Sequence, residues 1–364
     1  MSPLLKDIGR NPLLWLLAFV PVVFAAEALA PESHTLLFVL SVFAIVPLAA
    51  LLSHATESVA AKTGDAVGGL LNATLGNLTE LVIALAALRA GQYMLVKASI
   101  AGAVVTNSLF TLGASFFLGG LRHRVQEYNR VNARFQAALL FLATIALLVP
   151  SAVAEADSAQ GTSFTQTLSV WLSVLLIVNY GLGMLFSLKT HREFFAGAES
   201  GESGEAPWPI GLALATLAGV TVLVALVSEI FVESVQVAAI AFGMTPAFVG
   251  FIVVAMVGAA AEIASSFSAA RKNRLDMSVG IALGGAAQIS LFVAPVLVLI
   301  SYVLGPAPMD LQFWPGAVVM MLIATLTATT VTASGRSAWF VGVLLMTVYA
   351  IFAMTLYLLP PMAR

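Results

Sequence analysis

Two glutamates, Glu80 and Glu262, lie inside long apolar stretches of this chain. A charged side chain at mid-membrane depth costs roughly 2.5 to 3.5 kcal/mol on insertion scales, so it usually faces a cavity or a partner. Gly76 and Gly258 stand one helical turn before these two acids. Glycine lowers the cost of breaking a helix, and broken helices near the midplane form the ion sites of transporters. The pattern therefore predicts a helix break at each glycine and an ion site at the two glutamates.

Three amide side chains accompany the glutamates. Asn77 shares a helix face with Glu80, and Asn107 and Gln288 stand at similar distances downstream of the two acids. Ca²⁺ is bound by about six to eight oxygens, which come from carboxylates, amide carbonyls, backbone carbonyls and water. The residue types therefore predict a cation site with Glu80 and Glu262 as metal ligands and the three amides beside them.

The same carboxylates can carry protons. Two carboxylates buried close together cannot both stay charged when no cation is bound, because burial and mutual repulsion oppose the charges. A proton and a divalent cation then compete for the same oxygens. Such competition produces antiport when two halves of a protein rock about the shared site.

The surroundings of the two glutamates repeat along the chain. Gly102 stands as far after Glu80 as Gly284 stands after Glu262, and a Ser-Leu-Phe tripeptide follows at 108–110 and again at 290–292. All these pairs share the separation between Glu80 and Glu262, which we call the repeat offset. Because the repeat offset is close to half of the chain, it indicates an internal duplication.

The elements that carry these residues are predicted to be membrane helices. Hydrophobic residues make up 60% of the 364 residues, charged residues make up 9%, and the mean hydropathy is +1.01. Soluble domains contain about 25% charged residues, and a spanning helix needs about 20 apolar residues. We therefore predict an all-α polytopic membrane protein with eleven transmembrane helices. They are placed near 12–30, 34–56, 66–89, 94–119, 135–153, 167–187, 208–232, 245–269, 277–304, 313–333 and 338–359.

The distribution of basic residues predicts the orientation of these spans. With the N-terminus in the cytoplasm, thirteen of the 16 Lys and Arg residues fall in cytoplasmic segments, as the positive-inside rule requires. The C-terminus is then outside, and the two repeats cross the membrane in opposite directions. We expect a leading helix (1–33), a first repeat (34–190), an acidic cytoplasmic linker (191–207) and a second repeat (208–364). The linker is read as a solvated loop, with cation sensing as the alternative.

A specific motif supports this interpretation. The sequence Gly-Gly-Leu-Leu-Asn-Ala-Thr-Leu-Gly-Asn-Leu-Thr-Glu-Leu at 68–81 resembles the first alpha-repeat of the cation/proton exchangers, the calcium/proton antiporter branch of the calcium/cation antiporter superfamily. The resemblance extends over nearly the whole chain. It also includes Ala55-Thr56-Glu57, Thr106-Asn107-Ser108-Leu109, Ser228-Glu229, Ala260-Ala261-Glu262 and Ala282-Leu283-Gly284 with Gln288.

The resemblance implies one leading helix, two inverted five-helix repeats and exchange of cytosolic Ca²⁺ for protons. It implies that Glu80 and Glu262 are the central cation and proton carriers, and that Glu57 and Glu229 are supporting acids along the path. His54 lies three residues before Glu57 and is included as a group that shares its proton, with an interfacial histidine as the alternative. No cofactor is expected, and the setting is a bacterial-type inner membrane.

The second repeat departs from the family pattern. The family usually reads Pro-Ile-Val-Gly-Asn-Ala-Ala-Glu-His, whereas this chain reads Ala-Met-Val-Gly-Ala-Ala-Ala-Glu-Ile at 255–263. Gly285 and Ala287 also stand where hydroxyl residues are usual. Because Ala259 and Ile263 replace polar groups, we expect weaker Ca²⁺ binding and selectivity broadened towards Na⁺ or Mn²⁺.

Other classes of protein fit less well. The Asp residues lie in loops or at span ends, which argues against an intramembrane aspartyl protease, and the four His residues do not form the His-Glu-x-x-His motif of zinc proteases. The chain is therefore not expected to be an enzyme. Its Lys and Arg clusters are too small for a nucleic-acid partner. A sodium-coupled or broader-specificity cation exchanger remains the nearest alternative, and a passive cation channel is a further one.

Overall fold

The structure is a computed structural model that describes residues 3–63, 68, 70–71, 74–156, 161–195 and 207–358. Most of these residues are helical, as their apolar composition predicts. The first part of the predicted 66–89 span and most of the acidic linker lie outside the described residues.

The described α-helices are numbered in chain order. They are α1 (Pro3–Arg10), α2 (Phe19–Leu29), α3 (His34–Ala60), α4 (Leu78–Arg89), α5 (Tyr93–Val105), α6 (Leu112–His123), α7 (Arg130–Ala156), α8 (Gly161–Leu185), α9 (Ile210–Ala241), α10 (Pro246–Phe248), α11 (Ala255–Gly258), α12 (Ala260–Arg271), α13 (Leu275–Gln288), α14 (Ala294–Ile300), α15 (Pro315–Thr332) and α16 (Trp339–Leu358). Short 3₁₀ segments cover Pro12–Ala18 and Arg192–Phe194. Two short strands, β1 (Val125–Glu127) and β2 (Arg336–Ala338), pair antiparallel.

The described residues contain nine helices that are long and apolar enough to cross a membrane. A tenth candidate consists of two helical segments, Pro246–Gly258 and Ala260–Arg271, which are bent by 60° where they meet. The chain is therefore an integral membrane protein of the polytopic helical class. The remaining predicted span, 66–89, is described chiefly through α4, and the count of eleven remains a prediction.

The described part of the chain contains four π-helical turns, and two of them are related by the repeat offset. Thr106–Thr111 joins α5 to α6, and Ile289–Val293 joins α13 to α14. The other two are Phe186–Thr190 and Val249–Val254. A π-helical turn widens the helix locally and often occurs at functional sites. Of the predicted amide ligands, Asn107 lies inside one turn of the matched pair and Gln288 lies directly before the other.

The helix breaks beside the two glutamates also match. Asn77 precedes α4 with φ −99° and ψ 28°, and Ala259 precedes α12 with φ −79° and ψ 5°. Both conformations lie near the bridge region of backbone space, outside the range of a regular helix. Each glutamate therefore stands in the first turn of a helix that begins after a break.

Small residues bring the two halves of the chain into close contact. Gly102 on α5 lies against the backbone of Phe251, and Gly250 lies against Ala98. A side chain at either glycine would collide with its neighbour, so the close approach of these helices requires glycine there. Helices α3 and α9 also pack against each other. The glutamate-bearing helices α4 and α12 are thereby held in one core.

Candidate functional site

Glu80 and Glu262 approach each other from the two halves of the chain. The Glu80 side chain packs on Gly258, where an added Cβ would lie 3.0 Å from Glu80 Cγ. The carboxylates are near enough for the Glu80 charge to act on Glu262. Both acids occupy first helical turns, where the partial positive charge of the helix N-terminus favours an anion. The fold therefore supplies two interacting carboxylates at two broken helices.

Glu262 is held by neighbours from the opposite half and from its own half. Asn107 Nδ2 donates a hydrogen bond of 3.0 Å to Glu262 Oε2, and Thr111 Oγ1 donates one of 3.2 Å to Asn107 Oδ1. A Cβ at Gly285 would lie 2.8 Å from Glu262 Oε2 and 2.9 Å from Asn107 Nδ2. The glycine thus leaves the room that this hydrogen bond occupies. The Glu262 carboxylate is fixed by an oriented amide on one side and a bare backbone on the other.

Glu80 has a different environment. Its Oε1 is buried and accepts no hydrogen bond among the described residues, and Asn77 Oδ1 is also buried without a donor there. A buried oxygen without a hydrogen-bond donor costs free energy unless an ion, a proton or a water molecule binds to it. A narrow cleft of about 20 Å³ meets Glu80. Its other lining residues include Ser99, Ala103 and Gly258, and it is mostly apolar.

The predicted amides pair across the two halves. Asn77 Nδ2 donates a 2.6 Å hydrogen bond to Gln288 Oε1, 211 residues away, and the bond is buried. Asn107 binds Glu262 across 155 residues. Each of these bonds joins a predicted amide to a group of the opposite half. Gln288 Nε2 remains buried without an acceptor among the described residues.

This arrangement can bind a divalent cation or protons. Two carboxylates balance a double positive charge, and carboxylate and amide oxygens are the ligand types that Ca²⁺ takes. The free acceptors Glu80 Oε1 and Asn77 Oδ1 can serve as ligands, and hydration water can supply the remainder. Among the described residues, no group of three or more His, Cys, Asp or Glu side chains is arranged to hold a metal ion.

The predicted supporting acids have other contacts. Glu229 is exposed and forms an ion pair of 2.8 Å with Arg89. Glu57 accepts a hydrogen bond of 3.4 Å from Ser53 on its own helix. Their part in an ion path remains a prediction.

His54 belongs to a cluster that joins the N-terminal helix to the start of the second half. Its Nδ1 lies 3.7 Å from Asp7 Oδ2, and its ring lies 4.4 Å from the ring of Trp208. Trp208 Nε1 donates a 2.6 Å hydrogen bond to the same Asp7 oxygen. His54 therefore packs with Asp7 and Trp208 in a structural cluster separate from Glu80 and Glu262.

Several polar residues near the site were not predicted from the sequence. Ser115 and Ser266 are fully buried, and their hydroxyl oxygens lie 2.8 Å apart. Ser278 Oγ donates a 2.7 Å hydrogen bond to the carbonyl of Ser266. The sequence spacing could have identified two of these residues. Ser266 stands one helical turn after Glu262, and Ser115 stands two turns after Asn107. These spacings place the residues on the same helix faces as the site.

Comparisons with known proteins agree with the fold. The family model for "Sodium/calcium exchanger protein" matches residues 33–189 and 212–358. The chain is 38% identical to a Ca(2+)/H(+) antiporter of Aphanothece halophytica, with 97% of this chain and 98% of that protein covered. It is 39% identical to a Ca(2+)/H(+) antiporter of Synechocystis sp., with 95% and 97% covered. The structure of native YfkE superposes with a TM-score of 0.83 at 34% identity, covering 96% of this chain and 100% of that one. The chain therefore belongs to the sodium/calcium exchanger protein family, and within it to the calcium/proton antiporter branch that its motifs resemble.

Proposed function

We propose that this protein is a secondary active transporter that exchanges Ca²⁺ for protons at a site shared by Glu80 and Glu262. The observation that carries the proposal is the meeting of these two carboxylates, one from each half, with Glu80 packed on Gly258. The oriented Asn107 and the free oxygens of Glu80 and Asn77 support it. The antiporter names of similar relatives agree with this interpretation.

The mechanism follows from competition at the shared oxygens. With Ca²⁺ bound, both carboxylates are charged and the ion balances them. When the ion leaves, repulsion between the two buried charges favours protonation of at least one acid. Ca²⁺ ligands must be deprotonated, so binding of the ion releases protons and its apparent affinity falls as the pH is lowered. Alternating access of the site to the two sides then couples the two fluxes.

The architecture that we propose for this cycle is a leading helix followed by two inverted five-helix repeats. The matched breaks at Asn77 and Ala259 and the matched π-helical turns support a duplication with the repeat offset. The repeats comprise 34–190 and 208–364, and the linker 191–207 joins them. The excess of Lys and Arg in alternate segments favours an N-terminus in the cytoplasm and a C-terminus outside. The host membrane is a bacterial-type inner membrane.

Reconstituted vesicles test the proposal. The purified protein is inserted into vesicles that contain a pH-sensitive dye, and cation-dependent proton movement is measured over Ca²⁺, Mn²⁺, Mg²⁺, Na⁺ and K⁺. A Ca²⁺ gradient should drive protons in the opposite direction, and an imposed proton gradient should drive Ca²⁺ uphill. Downhill Ca²⁺ movement that cannot be made uphill by a proton gradient would identify a passive channel instead.

A second candidate, an exchanger of broader cation specificity or one coupled to Na⁺, is favoured by one asymmetry. Ala259 and Ile289 occupy the positions that correspond to Asn77 and Asn107 at the repeat offset. Fewer fixed oxygens discriminate less strongly among cations. Uphill Ca²⁺ transport driven by a Na⁺ gradient at equal pH on both sides would establish this candidate.

A further inference from the structure

We propose that a buried chain of hydroxyl groups carries protons between Glu262 and the basic end of α6 and α12, by a route that Ca²⁺ does not use. We call Thr111, Ser115, Ser266 and Ser278 the hydroxyl seam. The basic end is the surface formed by Arg122 and Arg271, where α6 and α12 finish. The inference rests on the proposed function and assigns a route to one of its two ions.

Thr111, Ser115 and Ser266 follow two facing segments in steps of one helical turn, and Ser278 on α13 is bonded to the Ser266 carbonyl. Glu262, Ser266 and Ala270 lie four residues apart on α12, and Asn107, Thr111, Ser115 and Gly119 lie four apart along the facing segment. One such step rises about 6 Å, a distance that one water molecule can bridge between two hydroxyls. The two rows meet at Asn107 with Glu262 and at Ser115 with Ser266.

Polar groups continue beyond the serines. Gln126 is buried, and its Nε2 donates hydrogen bonds to the Ala270 carbonyl at 3.0 Å and to Asn273 Oδ1 at 2.9 Å. Its Oε1 is buried without a donor among the described residues and packs closely against Gly119. Past this level, an open recess is lined by Leu118, Leu121, Arg122 and Arg271. Polar atoms therefore extend from Glu262 to a surface recess.

The corresponding positions on the Glu80 side are apolar. At the repeat offset, Ala84 corresponds to Ser266, Val293 to Thr111 and Leu297 to Ser115. Val96 corresponds to Ser278. The fold packs these positions without hydroxyls in one half, so helix packing alone does not account for the hydroxyls in the other.

The seam suits protons and excludes Ca²⁺. Its hydroxyls already hydrogen-bond to neighbouring groups, and no level of the described seam supplies about six oxygens, as Ca²⁺ requires. The two arginines at the recess repel a divalent cation. Each hydroxyl, or a water that bridges two of them, accepts a proton from one neighbour and gives its own proton to the next. The amides of Asn107 and Gln126 lie beside the row and relay no proton, so water bridges Glu262 to the first hydroxyl and the last hydroxyl to the recess. After a proton passes from the Glu262 carboxylic acid to the surface, every hydroxyl is neutral again and Glu262 is a carboxylate.

Two transport modes separate this route from a purely structural role. Exchange of Ca²⁺ for protons needs proton transfer, whereas exchange of unlabelled Ca²⁺ for radioactive Ca²⁺ does not. We expect the double variant Ser115→Ala with Ser266→Ala to slow the proton-coupled mode by about tenfold or more. This factor is smaller than the effect of removing a positioned acid or base in a catalytic site, which is about 10² to 10⁴. Exchange of Ca²⁺ for Ca²⁺ should continue at the wild-type rate.

The chain offers a matched control and a rescue. Thr144 and Thr325 form another buried hydroxyl pair between the two halves, at 2.9 Å, on α7 and α15. Thr144→Val with Thr325→Val should leave both modes unchanged. Ser266→Ala alone serves if the double variant does not fold, and Ser266→Thr keeps a hydroxyl and should retain proton coupling.

The outcomes separate the two proposals. If the seam variants slow both modes equally, or neither, the seam is structural and the route is overturned while the shared site stands. If the wild-type protein exchanges Ca²⁺ in neither mode, the proposed function itself fails, and the route with it.

Discussion

The surroundings of Glu80 and Glu262 differ although the two acids occupy matching positions. Glu262 accepts a hydrogen bond from Asn107, rests on Gly285 and stands at one end of a row of buried hydroxyls. Glu80 has an oxygen without a donor among the described residues and meets a mostly apolar cleft. The comparison shows that the backbone breaks and the acids match at the repeat offset, whereas the groups around each acid differ. The Glu262 carboxylate is oriented by an amide, whereas the Glu80 oxygen has no donor among the described residues.

The largest expected effect comes from neutralising either acid. Glu80→Gln or Glu262→Gln should abolish Ca²⁺-driven proton flux, because each removes a ligand charge and a proton carrier. Gln at position 262 can still accept the Asn107 hydrogen bond through its carbonyl oxygen, so a folded protein is expected. Glu27→Gln, at an exposed position on α2, is the matched control. Near-normal coupled flux in Glu80→Gln would show that exchange does not require both glutamates.

The glycine beneath Glu262 provides the next test. Gly285→Ala places a methyl group 2.8 Å from Glu262 Oε2 and 2.9 Å from Asn107 Nδ2, so the hydrogen bond must shift. Overpacking of this kind costs about 1–3 kcal/mol, and about tenfold weaker apparent Ca²⁺ affinity is expected. The reciprocal change, Ala103→Gly at the matching position beside Glu80, should alter the affinity by less than about twofold, because it introduces no overlap. Equal effects of the two changes would show that the packing beside Glu262 is no more sensitive than the packing beside Glu80.

Restoring the missing polar groups beside Glu262 should make its surroundings more like those of Glu80. Ala259→Asn with Ile263→His returns an amide and an imidazole to the break before α12. If the substitutions in this chain weakened Ca²⁺ binding, the double variant should bind Ca²⁺ several-fold more tightly, roughly 1 kcal/mol for one added ligand-type hydrogen bond or contact. Apparent affinity and selectivity over Mn²⁺ and Na⁺ are measured in vesicles. Tight, selective Ca²⁺ exchange by the native protein, unaltered by the double variant, would contradict the hypothesis.

The smallest effect is expected at the exposed ion pair. Glu229→Gln removes the partner of Arg89, and both side chains are well exposed. Such pairs contribute about 0 to 1 kcal/mol, so stability should change little and transport should weaken less than with Glu80→Gln. Thermal unfolding and vesicle flux test the two expectations separately, with Arg89→Gln as the reciprocal variant. A complete loss of flux in a folded Glu229→Gln protein would place Glu229 on the ion path.

Much of the architecture could be predicted because the bilayer imposes strong requirements on sequence. Apolar runs of about 20 residues are needed to cross it, and the nine candidate helices together with the bent pair coincide with ten of the predicted spans. The prediction that the chain belongs to the calcium/proton antiporter branch is confirmed by the family match and the relatives. The division into two repeats, the roles of individual site residues and the orientation remain predictions.

The sequence by itself determined the membrane setting, the two intramembrane acids, the glycines before them and the offset that relates them. These properties follow from composition and spacing, which act locally along the chain. Only the tertiary structure decided that Asn107 donates a hydrogen bond to Glu262 and that Asn77 donates one to Gln288. These contacts join residues that are 155 and 211 positions apart in the sequence. It also decided that Ser115 meets Ser266, and that His54 lies with Asp7 and Trp208. Which polar residues meet depends on how helices cross, and the crossing is set by packing at residues such as Gly102 and Gly250 that carry no polar group themselves.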